Sequence, residues 1–533
     1  MNSGHKGGLV VPVTAKDMTG RVCTEEAQVK DIVYQQGQRF YAEVAPGPQH
    51  WADEEQRWWQ EIVAPLDSVQ EDWYEGVMAE VGSVAELDEF NAALNDSAPY
   101  RDGITKKLVA NAGWQFKELL LRAVNGALTA GRSPTTWLRA AQLHLEKSDY
   151  AGDGLMRCRP IGISCYFQML VEKIVNTRIS QVMFSRRIIT PIQSGFRRDA
   201  GALDVQAVLK ASIERGWSGN TPVHILSTDI SNAFNSPQRW LIQAAMARVR
   251  FPERLQRMIL QWHEETAIEI KTGFKDGFTA PFTPAAGMIQ GRIISPLLWN
   301  LVYDILLQRL LDMSVEHGFD EGNPGHAIAD DLTLISSTKA GIERMYAEMH
   351  HFCERTNIKL CTAKTAYTTS DTRPGELHMP GEETVQVHET GVAKVVGVLH
   401  DASNDPAKGA AHATEMMKMI RARMPTMVKH GDRAAPHQAA RWVTATGTQA
   451  MLYATHMCCL TTKQINYFDD QIRQTARSVA RWSPSAVLMA AMTDMHTFSA
   501  ELAIRRLDAL LIPMMMPETE RRQRPQLQEH ARL

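Results

Sequence analysis

Three carboxylates stand where carboxylates are costly. Asp229 ends the strand-like run from Val223, in Ser227-Thr228-Asp229-Ile230-Ser231-Asn232-Ala233-Phe234. Asp330 and Asp331 interrupt Ala327-Ile328-Ala329-Asp330-Asp331-Leu332-Thr333-Leu334-Ile335. Burying an anion in a sheet costs several kcal/mol unless a cation compensates. Three carboxylates at strand ends therefore predict a site for two divalent metal ions. Such a pair holds both the attacking and the leaving oxygen of a phosphoryl transfer. The chemistry expected is nucleotide polymerisation.

The elements that must position these residues follow from local pattern. Val223–Asp229 reads as a strand, and His326–Ile335 as two short strands with the Asp330-Asp331 pair at their turn. Ser295-Pro296 opens a helix, with serine at the N-cap and proline in the first turn. Leu297, Leu298, Leu301, Val302, Ile305 and Leu306 continue it at helical spacing. Upstream, Ala141–Leu145 reads as a strand, Arg159–Ser164 as extended chain before and after a proline, and Leu170–Ile179 as a helix. Leu108, Leu119, Leu120 and Ala123 recur helically after a turn near 98–103. Val395–Leu399 is a further short strand. From Ala407 to about 490 the pattern is helical, and its methionines read as core filling. Residues after 512 are rich in Pro, Gln and Arg and are expected to be disordered.

A chain of 533 residues needs two to four subdomains. Its 44% hydrophobic and 22% charged residues are those of a soluble globular protein. No apolar run is long enough to span a bilayer and no signal peptide is evident, so the chain is expected to be neither secreted nor membrane-bound. None of the seven cysteines forms a Cys-x-x-Cys pair, and reduced thiols are expected. The net charge of −3 hides an asymmetry: residues 1–100 hold 6 basic and 18 acidic residues, whereas 157–250 hold 13 basic and 5 acidic. A basic stretch leading into the carboxylate site suits a polyphosphate or nucleic-acid channel. The acidic first 95 residues, with Trp51, Trp58, Trp59 and Trp73, read as a helical extension with a few apolar anchors and no assigned chemistry.

The ordered motifs around the carboxylates resemble those of a reverse transcriptase of the non-LTR (LINE-type) retrotransposon class. Arg159-Pro160-Ile161 is similar to its fingers motif, and Gln193-Ser194-Gly195-Phe196-Arg197 to its Gln-x-Gly-Phe element. Asp229 to Asn235 is similar to the first palm motif. Gly287-Met288-Ile289-Gln290-Gly291 with Ser295 to Asn300 is similar to the second, and Ala329-Asp330-Asp331 to the catalytic turn. Lys364-Thr365 and Val396-Gly397-Val398 are similar to the later palm motifs. Asp102-Gly103 and Trp137 fit the upstream pattern, and Leu452-Tyr453-Ala454 fits the thumb. The resemblance covers roughly residues 98–490.

The resemblance implies an α+β right-hand polymerase fold. It places fingers at 96–222, a palm of antiparallel sheet plus helices at 223–402, and a helical thumb at 403–495. The acidic extension (1–95) precedes these and a tail (496–533) follows. It implies an RNA-directed DNA polymerase, with an RNA template, a DNA primer and dNTPs as partners. Asp229, Asp330 and Asp331 would bind two Mg²⁺ ions, with Mn²⁺ able to substitute, and Lys364 would be the general acid for pyrophosphate. Arg159 and Lys147 would reach the triphosphate. Ile230, Phe234 and Gln290 would line the nucleotide, Phe234 excluding a 2′-hydroxyl. Gln193, Gly195, Phe196, Arg197, Gly291, Val396 and Gly397 would touch template and primer.

Two positions depart from the pattern. Ile328 replaces the usual tyrosine of the turn, and Asn235 a common aspartate. Nothing resembles an endonuclease, an RNase H or a zinc knuckle, which leaves room for a separate endonuclease among the expected partners. Nuclear residence is favoured over cytoplasmic by the resemblance. Two alternatives stay open: a weak or inactive retrotransposon remnant that only binds nucleic acid, and a group II intron-type reverse transcriptase with a maturase role.

Overall fold

The computed structural model describes residues 8–371, with interruptions at 17–19, 42–43, 148–154, 156–157, 198–199, 276 and 320–321. Beyond these it describes 376–378, 380, 384–385, 392–395, 398–401, 414, 418, 461–467 and 469–470. The expected thumb and tail, together with Val396 and Gly397, lie outside the described residues apart from those few positions.

The carboxylates belong to a four-stranded antiparallel sheet in the order Ala366–Thr369, His224–Thr228, Asp331–Ser336, Gly325–Ile328. Strand side chains alternate between faces, and here both faces are covered. Leu226, Leu332, Leu334 and Tyr367 join a core with Leu298, Val302 and Leu306 of helix Ser295–His317 and Met345 and Met349 of helix Lys339–Thr356. On the other face Ile225 and Ile335 pack against Val205, Leu209 and Ile213 of helix Ala202–Gly219. Each fully buried aliphatic side chain contributes about 1.5–3 kcal/mol. The sheet is thus held rigid from both sides, and its turn end carries the polar residues.

A second sheet is built on Arg139–Glu146, which pairs antiparallel with Cys158–Ser164 along its length. Ala267–Ile270 joins its first half in parallel, and Leu9–Val10 pairs with its end. Strands Arg139–Glu146 and Cys158–Ser164 exceed those read from sequence by no more than two residues at either end, helix Tyr166–Ser185 exceeds its expected range by four and six, and helix Ser295–His317 runs well past Leu306, where the expected apolar spacing ends. Ser295 is itself the first helical residue, one position inside the cap expected of it. Its Oγ donates back to the carbonyl of Ile289 at 2.8 Å.

The described part of the acidic N-terminal stretch is an integral cover rather than an extension with a few anchors. Val29, Val33, Tyr41, Trp59, Tyr74, Val77 and Leu87 are all buried. Trp51, Trp59 and Trp240 meet edge to face with centroids 5.4–5.7 Å apart. Three of its acidic residues pair with arginines far along the chain: Glu61 with Arg309 and Glu55 with Arg355 on the sheet-covering helices, and Asp67 with Arg250 in the turn after helix Arg239–Arg248. Contacts cross the boundaries expected at 95/96 and 222/223: Tyr41 donates to Gln142 at 3.1 Å, the helix from 202 covers the carboxylate-bearing sheet, and the strand from 267 belongs to the other sheet.

Candidate active site

The pairing register brings the carboxylates together. Thr228 opposes Leu332, the last pair of the two central strands, so one step outward Asp229 faces Asp331. The pleat puts both on the face of Ile225 and Ile335. Asp330 lies in the two-residue connection between Ile328 and Asp331, which pair with each other. Lys364, 135 residues after Asp229 in sequence, arrives by a second pairing. Lys359-Leu360 lies against Ser231-Ile230, and the Cys361 N–H donates to the Asp229 carbonyl at 2.9 Å. The chain then closes a 3-10 turn over Thr362–Lys364 and places Nζ 2.5 Å from Asp229 Oδ2.

The electrostatics are those of under-compensated anions. Loss of solvation, then the charges of Asp330 and Asp229, push Asp331 up to about 7, against a pull from Lys364. Asp330 is also raised, first by desolvation, with Asp229 adding to the rise and Lys364 and Arg159 opposing it. Among the described residues no three His, Cys, Asp or Glu side chains converge closely enough to hold an ion as they stand. Asp229 is engaged with the ammonium of Lys364, which takes the place of a cation. The donor set is nonetheless three hard carboxylates with negative charge in excess, and this fits a hard divalent ion.

Phe234 stands beside the carboxylates on a short turn that follows Asn232, a residue in the left-handed region (φ 53°). Its half-buried ring meets Trp299 on one side and the 47%-exposed Phe196 on the other, each with centroids 6.0 Å away. The 287–291 loop ties this turn to the strand that carries Arg159. Met288 N–H donates to the Phe234 carbonyl at 2.5 Å, and Gly162 N–H to the Gln290 carbonyl at 2.7 Å. Gly287 and Gly291 are glycines because of these approaches. A Cβ would lie 2.3 Å from the Asn235 oxygen at the first and 2.7 Å from the Gly162 oxygen at the second, both at positive φ. Gly291 is thus required by the fold itself. Gln290 is half-buried between the two elements and Arg159 is exposed.

Other expected site residues are placed differently. Ile230 is buried in the core, so its side chain is not open to a nucleotide. Lys147 lies one residue beyond Glu146, at the outer end of its strand. Gln193 is fully buried, and its amide pairs with the backbone of Ala329. Gly195 is pressed against that same backbone. These two residues brace the turn that carries Asp330. Phe196 and the half-buried Arg197, whose guanidinium lies 6.0 Å over the Phe184 ring, are the residues of this motif nearer the surface. Sequence reasoning assigned no role to Trp299, whose indole Nε1 donates to the Ala329 carbonyl at 3.0 Å. A tryptophan at the start of a buried helix, needing one polar partner, was the available signal.

Residues 146–398 match the family described as reverse transcriptase (RNA-dependent DNA polymerase). The chain is 26% identical over 268 residues to the Retrovirus-related Pol polyprotein from type-2 retrotransposable element R2DM of Drosophila melanogaster, covering 50% of this chain and 24% of the relative. It is 22% identical to the Probable RNA-directed DNA polymerase from transposon BS of Drosophila melanogaster, covering 54% and 33%. It is 26% identical to the Retrovirus-related Pol polyprotein from type-1 retrotransposable element R2 of Popillia japonica, covering 53% and 38%. The chain thus spans well under half the length of these relatives. Likeness to a solved apo telomerase from Candida tropicalis reaches a TM-score of 0.37 at 10% identity, over 51% of this chain and 55% of that one, too little to bear on the fold.

Proposed function

We propose that the chain is an RNA-directed DNA polymerase of the non-LTR retrotransposon kind that extends a DNA primer on an RNA template, a reading supported by the match of residues 146–398 to the reverse transcriptase family and by the likeness to Pol polyproteins of retrotransposable elements. One observation carries the reading: Asp229, Asp330 and Asp331 share one sheet end with Lys364, Phe234 and Arg159 within electrostatic or packing reach.

Asp229, Asp330 and Asp331 would hold Mg²⁺, or Mn²⁺ in its place. Bound there, the ions would supply activation of the primer hydroxyl and stabilisation of the departing pyrophosphate. Arg159, exposed on its strand, offers the triphosphate two parallel donors. Phe234 forms the floor under the sugar, held from behind by Trp299, and leaves no room for a 2′-hydroxyl. Lys364 delivers a proton to the leaving pyrophosphate. Gln290 borders the nucleotide. Arg197 and Phe196 meet the template, an RNA–DNA hybrid being recognised by backbone and shape. A nicked chromosomal DNA end would serve as the primer, which puts the work in the nucleus. Nuclear exclusion of the tagged chain would count against that placement.

The test is primer extension on an RNA template with dNTPs and Mg²⁺ or Mn²⁺, compared with Asp330→Ala. Product above that control supports the reading. Its absence, with the duplex still bound, leaves a nucleic-acid-binding remnant instead.

A further inference from the structure

Ala329 precedes the catalytic Asp330 and sits at φ 58°, in the left-handed region where a non-glycine residue is unfavourable. Such a conformation persists only where its surroundings over-determine it. Here they do. The Ala329 N–H donates to Gln193 Oε1 at 2.9 Å, and Gln193 Nε2 donates to the Ala329 carbonyl at 3.0 Å, which also accepts from Trp299. Gln193 Oε1 takes a further N–H from Gly195 at 2.7 Å. The amide is therefore fully engaged and fully buried.

The segment that carries Gln193 is itself fixed. Ser194 N–H donates to the Ala327 carbonyl and Ala327 N–H to the Ile192 carbonyl, both at 2.8 Å, so 192–194 runs as a parallel edge beside the strand that leads into the turn. Asn300 and Asp304, one helical turn apart, hold its two ends. Asn300 donates to the Gly195 carbonyl at 3.0 Å, and Asp304, paired with Arg248 at 2.7 Å, accepts from the Thr190 N–H at 2.8 Å. A Cβ at Gly195 would lie 2.2 Å from Ala329 N, so no other residue permits this approach.

We propose that Gln193 is a positioning residue that sets the direction of the Asp330 carboxylate, and with it the metal affinity of the site, through its two-pronged pairing with the Ala329 backbone. The inference rests on the reverse transcriptase reading above. It differs from a template contact in what it makes sensitive. Loss of the amide loosens ion binding before any nucleic acid arrives, because an outer partner that orients a ligand typically matters about 10–100-fold to metal affinity.

The experiment uses the full chain. Gln193→Met keeps the side-chain length and removes both prongs, and Gln193→Glu keeps the acceptor and removes the donor. Mn²⁺ binding to the substrate-free protein is read by electron paramagnetic resonance, and RNA–DNA duplex binding by fluorescence anisotropy, with Asp330→Ala alongside. The expected result for Gln193→Met is Mn²⁺ binding weakened about tenfold with duplex affinity unchanged. In primer extension, kcat falls and KM for dNTP holds. Gly195→Ala, whose methyl enters the Ala329 backbone, reproduces the loss. Wild-type Mn²⁺ binding by Gln193→Met, or loss of duplex binding with Mn²⁺ binding intact, overturns the proposal. If Gln193→Met does not fold, Gln193→Glu and Gly195→Ala decide by the same two readouts. Undiminished Mn²⁺ binding by Asp330→Ala overturns the carboxylate reading itself, a separate result that takes this proposal with it.

Discussion

Lys364 Nζ lies 2.5 Å from Asp229 Oδ2, and the strand pairing of 359–360 with 230–231 brings the two residues together although they are 135 apart in sequence. The ammonium stands at the edge of the carboxylate cluster, where a leaving pyrophosphate would pass. Replacing Lys364 by methionine should lower kcat for nucleotide addition by about 100-fold, the lower range for a positioned general acid. Lys364→Arg should recover only part of it. Single-turnover extension on an RNA template measures both, and a wild-type rate for the methionine variant would remove the acid role.

The raised carboxylates give a pH dependence with a definite sign. An acid whose folded-state value lies above its ordinary one binds more protons in the folded protein. Its contribution to stability is present at low pH and declines as pH climbs through the interval between the two. For Asp331 that interval runs from 3.8 to about 7. In EDTA, Asp331→Asn should gain melting temperature relative to wild type as pH rises from 4.5 to 8. Ions must displace those protons, so Mn²⁺ affinity of the wild type should climb up to about pH 7 and level off above it. An affinity flat from pH 5 to 8 would mean that the cluster is not the metal site.

The catalytic strands were legible because their pattern is local: alternating apolar residues that end in a carboxylate admit few other readings. The order of the flanking motifs made the polymerase class legible as well. What stayed hidden was contact between distant segments. The resemblance makes the Gln-x-Gly-Phe element a nucleic-acid contact, and nothing in Ile192-Gln193-Ser194 hints that the amide will be buried on Ala329. The acidic N-terminal stretch reads as an extension with a few anchors because Glu55, Glu61 and Asp67 meet their arginines from 183 to 300 residues away. Ile328, unusual for the turn, finds its reason in packing: it lies against the cluster formed by helix Ala202–Gly219 and the sheet.

Phe234 is pinned between Trp299 and Phe196, which separates its role into two parts. Phe234→Ala should raise ribonucleotide incorporation strongly, because it removes the wall itself. Phe196→Ala removes only an edge-to-face neighbour, worth about 0.5–1.5 kcal/mol, so the change in dNTP/NTP selectivity should be only about 2–10-fold. The double variant should resemble Phe234→Ala alone, since the support has nothing left to hold. Steady-state selectivity with paired dNTP and NTP measures all three, and unaltered discrimination in Phe234→Ala would remove the gate assignment.

Behind the 287–291 loop, Arg292 and Glu172 form an ion pair with no solvent exposure at either side chain. Gln168 donates to the same carboxylate oxygen at 3.0 Å, and Arg292 reaches the Trp262 carbonyl and Thr266 Oγ1. The pair clamps helix Tyr166–Ser185 to the residue that follows Gly291, so it fixes the loop between Phe234 and the Arg159 strand. Removing one partner strands a buried charge, which costs about 3–5 kcal/mol. Glu172→Ala and Arg292→Ala should each lower the free energy of unfolding by that amount. Glu172→Leu combined with Arg292→Met, which removes both charges and keeps volume, should recover much of the loss. Equilibrium denaturation of the four proteins checks both expectations, and two single variants near wild-type stability would show that the clamp carries no weight. In the folded double variant, a raised KM for dNTP with duplex affinity intact is the expected mark of a loop that has lost its anchor.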